Sequence, residues 1–254
     1  MALTGVADLS SAYGTLLSLY VSEFLVLVSP RLLMGRLNLI IHQVLDRYME
    51  QVRATIAGLD VETIGQIVEV LHEARIERRR IFIFGNGGSA ATASHFACDL
   101  NKGAICSGQP RFRAIALTDC MPLLSAWAND TAYENIFAQQ LENHVEPGDV
   151  VIGISGSGNS MNVVNALKLA NIRGATTIAL TGFDGGKVKD IAHICLIVRN
   201  NSIEQVEDIH LLLGHAITTC LRLMSAWPSH VHIRTSGSAG GKTDVKRLAS
   251  VAEP

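Results

Sequence analysis

Short apolar runs alternate with helical stretches along most of this chain of 254 residues, and this alternation restricts the possible folds. The runs lack the polar–apolar alternation of a half-exposed strand, so we expect strands that are buried on both faces. The runs are Arg80–Phe84, Arg113–Leu117, Val150–Ser155, Thr176–Leu180 and His193–Val198. The helical stretches are Ser89–Leu100, Ala132–Val145, Asn159–Ile172 and Ile203–Ser225, with a short turn near Lys187. This order predicts an α/β fold whose parallel sheet is covered by helices on both sides.

Two amphipathic helices, Leu37–Leu59 and Val61–Arg75, are predicted before the first strand. Residues 37–227 are therefore expected to form one domain with N-terminal helices. Residues 228–254 end without apolar periodicity and are expected to be a mobile tail.

Residues 1–36 are predicted to be an extension, helical or poorly ordered. Its apolar stretch Tyr13–Ser29 is interrupted by Glu23 and stopped by Pro30, so it is too short for a membrane span. It also lacks the basic region and the cleavage site of a signal peptide. A membrane-surface anchor, or a true start at Met34, are the alternatives.

Composition limits the partners and the compartment. The chain is 48% hydrophobic and 17% charged, which leaves few charges to cover a large monomer, so we expect an oligomer. The net charge of −2 gives no electrostatic reason to expect nucleic-acid binding. The five cysteines form no CxxC pair, which fits a reduced, cytoplasmic protein.

Two glycine- and serine-rich loops follow predicted strands, and ligands of parallel sheets bind at the carboxyl ends of strands. In the SGSGNS loop (Ser155–Ser160), glycines permit close approach of a ligand, and hydroxyls and helix N–H groups can bind an anion. It is not a Walker loop, because no lysine follows in a GxxxxGK pattern. The NGGS loop (Asn86–Ser89) has the same character after the first strand. A tight turn with a serine cap is the alternative interpretation of the SGSGNS loop.

Several side chains near these loops could do chemistry. His95 and Asp99 are four residues apart on one predicted helix, which suits a metal or an acid–base pair, although a surface contact has the same spacing. Asn129 and Asp130 could contact a ligand or simply form a turn. Glu207 and His215 lie about 12 Å apart along the last helix, so they could share one ion only by leaning together or across subunits.

Together these motifs resemble the sugar isomerase (SIS) domain, and within it they are most similar to the phosphoheptose isomerases. The motifs are GNGGS followed by HF, the ND pair, GISGSGNS, TGFDGG at Thr181–Gly186, and VEDIHLLLGH. The match extends over roughly Leu37–Met224. Phosphoheptose isomerases convert sedoheptulose 7-phosphate to D-glycero-D-manno-heptose 7-phosphate through an enediol, so the resemblance implies an aldose–ketose isomerase.

The resemblance also implies a flavodoxin-like, doubly wound, five-stranded αβα sandwich and a homotetramer with active sites between subunits. It implies roles for particular side chains. The residues implied to bind substrate are Asn86, Gly87, Gly88, Ser89, Asn129, Asp130, Ser155, Gly156, Ser157, Ser160 and Glu207. The implied zinc ligands are His95, Asp99, Glu207 and His215, and the implied catalytic pair is Asp99 and His215.

The chain departs from the isomerase pattern at three positions. Asp99 stands where the isomerases have Glu, which withdraws the carboxylate by about 1.5 Å. Glu207 replaces Gln, and Gly156 stands where Thr is common. Because of the shorter carboxylate, the alternative is a non-catalytic SIS protein that binds a phosphosugar and acts as a regulator or as a partner of a replication initiator. An isomerase of another phosphosugar is a third possibility.

Overall fold

The computed structural model describes residues 30–226. The expectations for the apolar stretch Tyr13–Ser29 and for the tail 228–254 lie outside these residues. The α-helices are α1 (Pro30–Ala57), α2 (Val61–Ile76), α3 (Gly88–Cys98), α4 (Met121–Asp130), α5 (Ala138–His144), α6 (Met161–Ile172) and α7 (Ile203–Ala226). The strands are β1 (Arg80–Gly85), β2 (Arg113–Ala116), β3 (Val150–Ser155), β4 (Thr176–Gly182) and β5 (Ile194–Val198). A π-helix (Asp99–Gly103) follows α3, and 3₁₀ turns lie at Tyr133–Asn135 and Lys187–Asp190.

The five strands form one parallel sheet in the order β2-β1-β3-β4-β5. This order is that of the flavodoxin-like doubly wound sheet, in which the winding reverses between β1 and β3. The predicted fold class is therefore confirmed. The buried Asp149 carboxylate aligns the starts of β1 and β3, because it accepts bonds from the backbone N–H and the guanidinium of Arg80, at 2.9 and 3.0 Å.

The sheet separates two apolar cores, and alternate residues of β1 point into each. Ile81 and Ile83 join the core beneath α2, α3 and α7, whereas Phe82 and Phe84 join the core beneath α5 and α6. Because the central strands are apolar on both faces, they have the continuous apolar runs that the sequence contains.

The structure corrects three local expectations. The sequence analysis missed α4, which has no buried residue and carries Pro122 in its first turn. The predicted helix Ala132–Val145 is instead a 3₁₀ turn followed by the shorter α5. The edge strand β2 alternates exposed and buried residues, with Ile115 42% exposed, so it is covered on one face only.

Helix α1 lies against α7 through polar contacts. Tyr48 donates a hydrogen bond to Asp208, and Gln205 donates one to Gln51 at 3.0 Å. Much of the remaining surface of α1 is exposed and apolar; its exposed apolar residues are Met34, Leu37, Leu39, Ile40, Ile41, Val44, Leu45, Met49 and Ile56. Within residues 30–226, no helix combines the length and apolar character needed to cross a membrane.

Because the imidazole of His210 on α7 is buried, we predict that the free energy of unfolding falls in acid. Burial lowers the pKa of His210 to about 4, while an unfolded chain has the ordinary value near 6.5. Between these values the unfolded chain binds a proton that the folded chain does not, so stability falls as the pH falls through this window. We expect this side chain to contribute a slope of up to about 1.4 kcal/mol per pH unit.

Denaturant unfolding of wild type and His210→Leu at several pH values between 4 and 7 measures this slope. The variant should lose free energy of unfolding less steeply with acidification than the wild type. His144→Leu, at an exposed position, is the matched control and should retain the wild-type slope. Parallel pH profiles for wild type and His210→Leu would contradict the assignment.

Candidate functional site

The NGGS and SGSGNS loops meet because they follow β1 and β3, the neighbouring strands between which the winding reverses. A reciprocal pair of amide hydrogen bonds joins them. Asn86 Nδ2 donates to Asn162 Oδ1 at 2.9 Å, and Asn162 Nδ2 donates to Asn86 Oδ1 at 2.8 Å. Asn162 is 2% exposed, so this pair fixes the distance between the two loops from within the protein.

The NGGS loop turns directly into α3. Gly87 has φ +55°, a left-handed conformation that favours glycine, and α3 begins at Gly88. The first N–H groups of a helix have no partner within it, so they are available to an acceptor at this end. Ser89 is buried at 5% exposure. A crevice lies at the carboxyl ends of β1 and β3. One of its edges is formed by the predicted residues Asn86, Gly87, Gly88 and Ser89.

The SGSGNS loop brings its serine hydroxyls to the start of α6. Ser155 Oγ lies 3.4 Å from Ser160 Oγ, and the side chain of Ser160, the residue preceding α6, makes no capping bond to the helix. Ser157 is exposed, and its hydroxyl accepts a bond from the N–H of Asn159 at 3.2 Å. Hydroxyls and helix N–H groups arranged in this way can bind an anion without a metal.

Gly156 packs against α7. A Cβ built on Gly156 would lie 2.3 Å from Ile203 Cδ1, so a side chain here would displace the start of α7 or the Ile203 side chain. Because the other neighbouring atoms are 3.7 Å away or more, a shift of the Ile203 side chain alone would make room for the threonine that the resemblance led us to expect here.

Three of the four predicted metal ligands converge between α3 and α7. His95 Nε2 lies 2.9 Å from His215 Nε2, and Asp99 Oδ2 lies 3.5 Å from His95 Nε2 and 3.6 Å from His215 Nε2. Packing of the helices brings them together, since the ring of Phe96 on α3 lies against Gly214 on α7. The π-helix begins at Asp99 itself, and such wide turns are frequent at functional sites.

The three donor atoms fit a divalent metal. Tetrahedral ligands about 2.0–2.1 Å from a zinc ion lie roughly 3.3 Å from one another, close to the observed separations of 2.9–3.6 Å. The side chains of His95 and His215 are 48% and 53% exposed, so the cluster is open on one side. Three protein ligands with an open fourth position are typical of catalytic zinc sites.

Glu207 is not part of this three-residue cluster. Its carboxylate lies over Gly88 at the start of α3, where a Cβ would come within 2.3 Å of Oε2. A carboxylate is stabilised at this end by the helix dipole. Glu207 therefore borders the NGGS loop, and its ligation of a metal remains a prediction.

Asn129 and Asp130 end helix α4 and are exposed. Asn129 Nδ2 donates to Asp130 Oδ1 at 2.9 Å, so here the two side chains contact each other. The chain returns from them to Tyr133, whose hydroxyl donates to Asn86 Oδ1 at 2.9 Å. Two residues of sequence thus separate the ND pair from Tyr133, which is bonded to the NGGS loop.

Sequence reasoning missed two residues of the site, Asn162 and Tyr133. Both contact Asn86, which makes the Asn86 amide the centre of a three-residue network. A signal for Asn162 was present, because an asparagine on the buried face of an apolar helix needs a hydrogen-bond partner. Tyr133 carried no such signal, since it lies in a segment predicted to be helical.

Comparison with known proteins agrees with this fold. The SIS domain family model matches residues 46–182. A phosphoheptose isomerase from Aquifex aeolicus is 40% identical over 171 residues, which cover 67% of this chain and 89% of the relative.

Solved structures of two phosphoheptose isomerases superpose on the chain. The enzyme from Neisseria gonorrhoeae has a TM-score of 0.65 at 32% identity, covering 73% of this chain and 99% of that one. The enzyme from Francisella tularensis has a TM-score of 0.67 at 25% identity, covering 72% and 96%.

Proposed function

The chain belongs to the SIS domain family, and we propose that it is an aldose–ketose isomerase that converts sedoheptulose 7-phosphate to D-glycero-D-manno-heptose 7-phosphate. The observation that carries the proposal is that the SGSGNS loop and the His95–Asp99–His215 cluster are both connected to the NGGS loop. The Asn86–Asn162 pair links the two loops, and α3 leads from the NGGS loop to His95 and Asp99. The similarity to phosphoheptose isomerases supports this choice of substrate.

The binding loops orient the substrate in its open-chain form. Ser155, Ser157 and Ser160 bind the phosphate together with the N–H groups that open α6. Asn86 and the ND pair bind the hydroxyls of the sugar chain. Seven helical steps of 1.5 Å place His95 about 10 Å along α3 from Gly88, so a sugar chain extending along α3 from the NGGS loop would reach the His/Asp cluster.

The reaction moves one proton between C1 and C2. Asp99 removes a proton from C1 of the ketose, and His215 donates a proton to the oxygen on C2, which produces the enediol. Asp99 then returns its proton to C2 while His215 accepts the proton of the oxygen on C1, which produces the aldose. Each group ends the cycle in the protonation state in which it began.

We assign a zinc site to His95, Asp99 and His215, with Glu207 as the further predicted ligand. Two imidazoles and a carboxylate suit zinc. A zinc ion held by these residues would act as a Lewis acid towards the substrate carbonyl, and with Nε2 of His215 on the metal, the proton exchanged by His215 would be that of Nδ1. Glu207 also adds negative charge to the site and borders the substrate loop.

We further propose that the active enzyme is a homotetramer in which the exposed apolar surface of α1 is covered by neighbouring copies. Leu37, Ile41, Val44 and Leu45 are each 44–59% exposed, and burying such side chains contributes about 25 cal/mol per Å². The enzyme is expected in the cytoplasm, in keeping with its five free cysteines. The partner is the phosphosugar, with no nucleic acid.

The first prediction concerns Asp99. Asp99→Asn removes the base while retaining the shape of the side chain, so kcat for sedoheptulose 7-phosphate should fall by about 100-fold or more. Exchange of the C1 and C2 protons with deuterated water, followed by NMR, measures turnover directly. Glu69→Gln, at an exposed position of α2, should match the wild type.

Each result of this experiment decides a different point. Wild-type turnover in Asp99→Asn would refute the role of Asp99. A zinc-supplied wild type that binds sedoheptulose 7-phosphate without isomerising it would favour a phosphosugar-binding regulator instead.

The second prediction concerns the metal. Purified protein loaded with zinc and then desalted should retain about one ion per chain, and His95→Ala should weaken the affinity by more than about 100-fold. Mass spectrometry of the metal content and competition with a chelator measure both quantities. His144→Ala, at an exposed position of α5, is the control. Equal zinc affinity in wild type and His95→Ala would contradict the ligand assignment.

The third prediction concerns α1. Light scattering should give the mass of four chains for the wild type, and Ile41→Asp combined with Val44→Asp should lower that mass. Ile172→Asp, at a position 82% exposed at the end of α6, is the control and should stay tetrameric. A monomeric wild type would contradict the proposed assembly.

A further inference from the structure

The SGSGNS loop lacks a positive side chain. Its donors are hydroxyls and backbone N–H groups, whereas a phosphate monoester carries about −1.5 to −2 charges at pH 7. The N-terminus of α6 offers an equivalent of roughly +0.5. A phosphate bound here therefore leaves most of its charge unmatched by the loop that holds it.

The TGFDGG loop (Thr181–Gly186) is fixed against the SGSGNS loop, backbone on backbone. Gly182 N donates to Gly156 O at 2.8 Å, and Val188 N donates to Gly158 O at 3.1 Å. The contact is so close that a Cβ on Gly158, at φ +65°, would lie 2.1 Å from Gly185 O. These backbone contacts thus fix the start of the segment after the TGFDGG loop relative to the SGSGNS loop.

Lys187 is the first residue after the TGFDGG loop. Its backbone N–H donates to the side-chain oxygen of Asn159, at 3.2 Å, within the SGSGNS loop. Its ammonium group lies 3.5 Å from the sulfur of Met161, the first residue of α6 and the neighbour of Ser160. The side chain is exposed, so it can turn towards a ligand at that helix end.

The ammonium of Lys187 is not committed to another charge. A thioether is a weak acceptor, and within residues 30–226 no carboxylate lies at ion-pair distance from this lysine. Lys189, two residues on, differs because its ammonium donates to the backbone oxygen of Asp184 at 3.2 Å.

We propose that Lys187 is a phosphate-binding residue, which supplies the positive charge that the SGSGNS loop lacks and so selects phosphorylated over neutral sugars. The proposal rests on the proposed function of the loop as the phosphate site. Lysine serves as a point charge for phosphate elsewhere in proteins, and a charge-assisted bond is stronger than a neutral one. When phosphate enters, the ammonium exchanges its contact with Met161 for the anion.

The test compares Lys187→Gln and Lys187→Arg with the control Lys189→Gln in the full-length protein. Lys187→Gln should raise KM for sedoheptulose 7-phosphate about tenfold and leave kcat within about twofold, because the lost contact is remote from the reacting carbons. The affinity for inorganic phosphate should fall by the same factor. It is measured by competitive inhibition and by calorimetry. Lys187→Arg should restore most of the affinity, and Lys189→Gln should match the wild type.

The outcomes separate this proposal from the isomerase proposal. Unchanged phosphate affinity in Lys187→Gln, or an equal loss in Lys189→Gln, would overturn the role of Lys187. A wild type without isomerase activity would refute the proposed reaction, yet the phosphate titration would still decide whether Lys187 binds the anion. A fall in kcat with constant phosphate affinity would also count against Lys187.

Discussion

The reversal of winding between β1 and β3 is the constraint on which the rest of this site depends. In a doubly wound sheet, the connections from these two neighbouring strands leave towards opposite faces, so a crevice opens between their carboxyl ends. Here both strands continue into glycine-rich turns, and the paired amides of Asn86 and Asn162 close the gap beneath them. The sheet keeps the two cores apart, and α3 and α6 run along its opposite faces from N-termini that meet at this crevice.

The second half of the site comes from helix packing rather than from the sheet. α3 and α7 approach closely where Phe96 meets Gly214, and this contact brings His95 and His215 together. Asp99 lacks one methylene relative to the family glutamate, yet its carboxylate lies within 3.6 Å of both imidazoles. The shorter side chain therefore does not by itself separate the carboxylate from the cluster, and this geometry is compatible with catalysis.

Much of the fold was predictable because the central strands β1, β3 and β4 are buried on both faces and carry unbroken apolar runs. The strand order was implied by the family resemblance, since apolar runs alone do not fix which strands are neighbours. α4 was missed because it has no buried face and its Asn129–Asp130 end has the composition of a turn. The Asn86–Asn162 pair joins residues 76 positions apart, so only the tertiary fold reveals it. For Glu207, the helical rise of about 12 Å from His215 left the sharing of one ion undecided, and because its carboxylate lies over Gly88, its ligation of a metal stays a prediction.

The distance in sequence between His95 and His215 also affects how the protein matures. All five strands and the whole SGSGNS loop precede α7 in the chain, yet the buried residues of α7 complete the core on one face of the sheet. The cluster forms only when α7 packs against α3. The His95–Asp99–His215 cluster is thus assembled only together with that core, so a chain that ended before α7 would lack both the third residue of the cluster and one wall of the core.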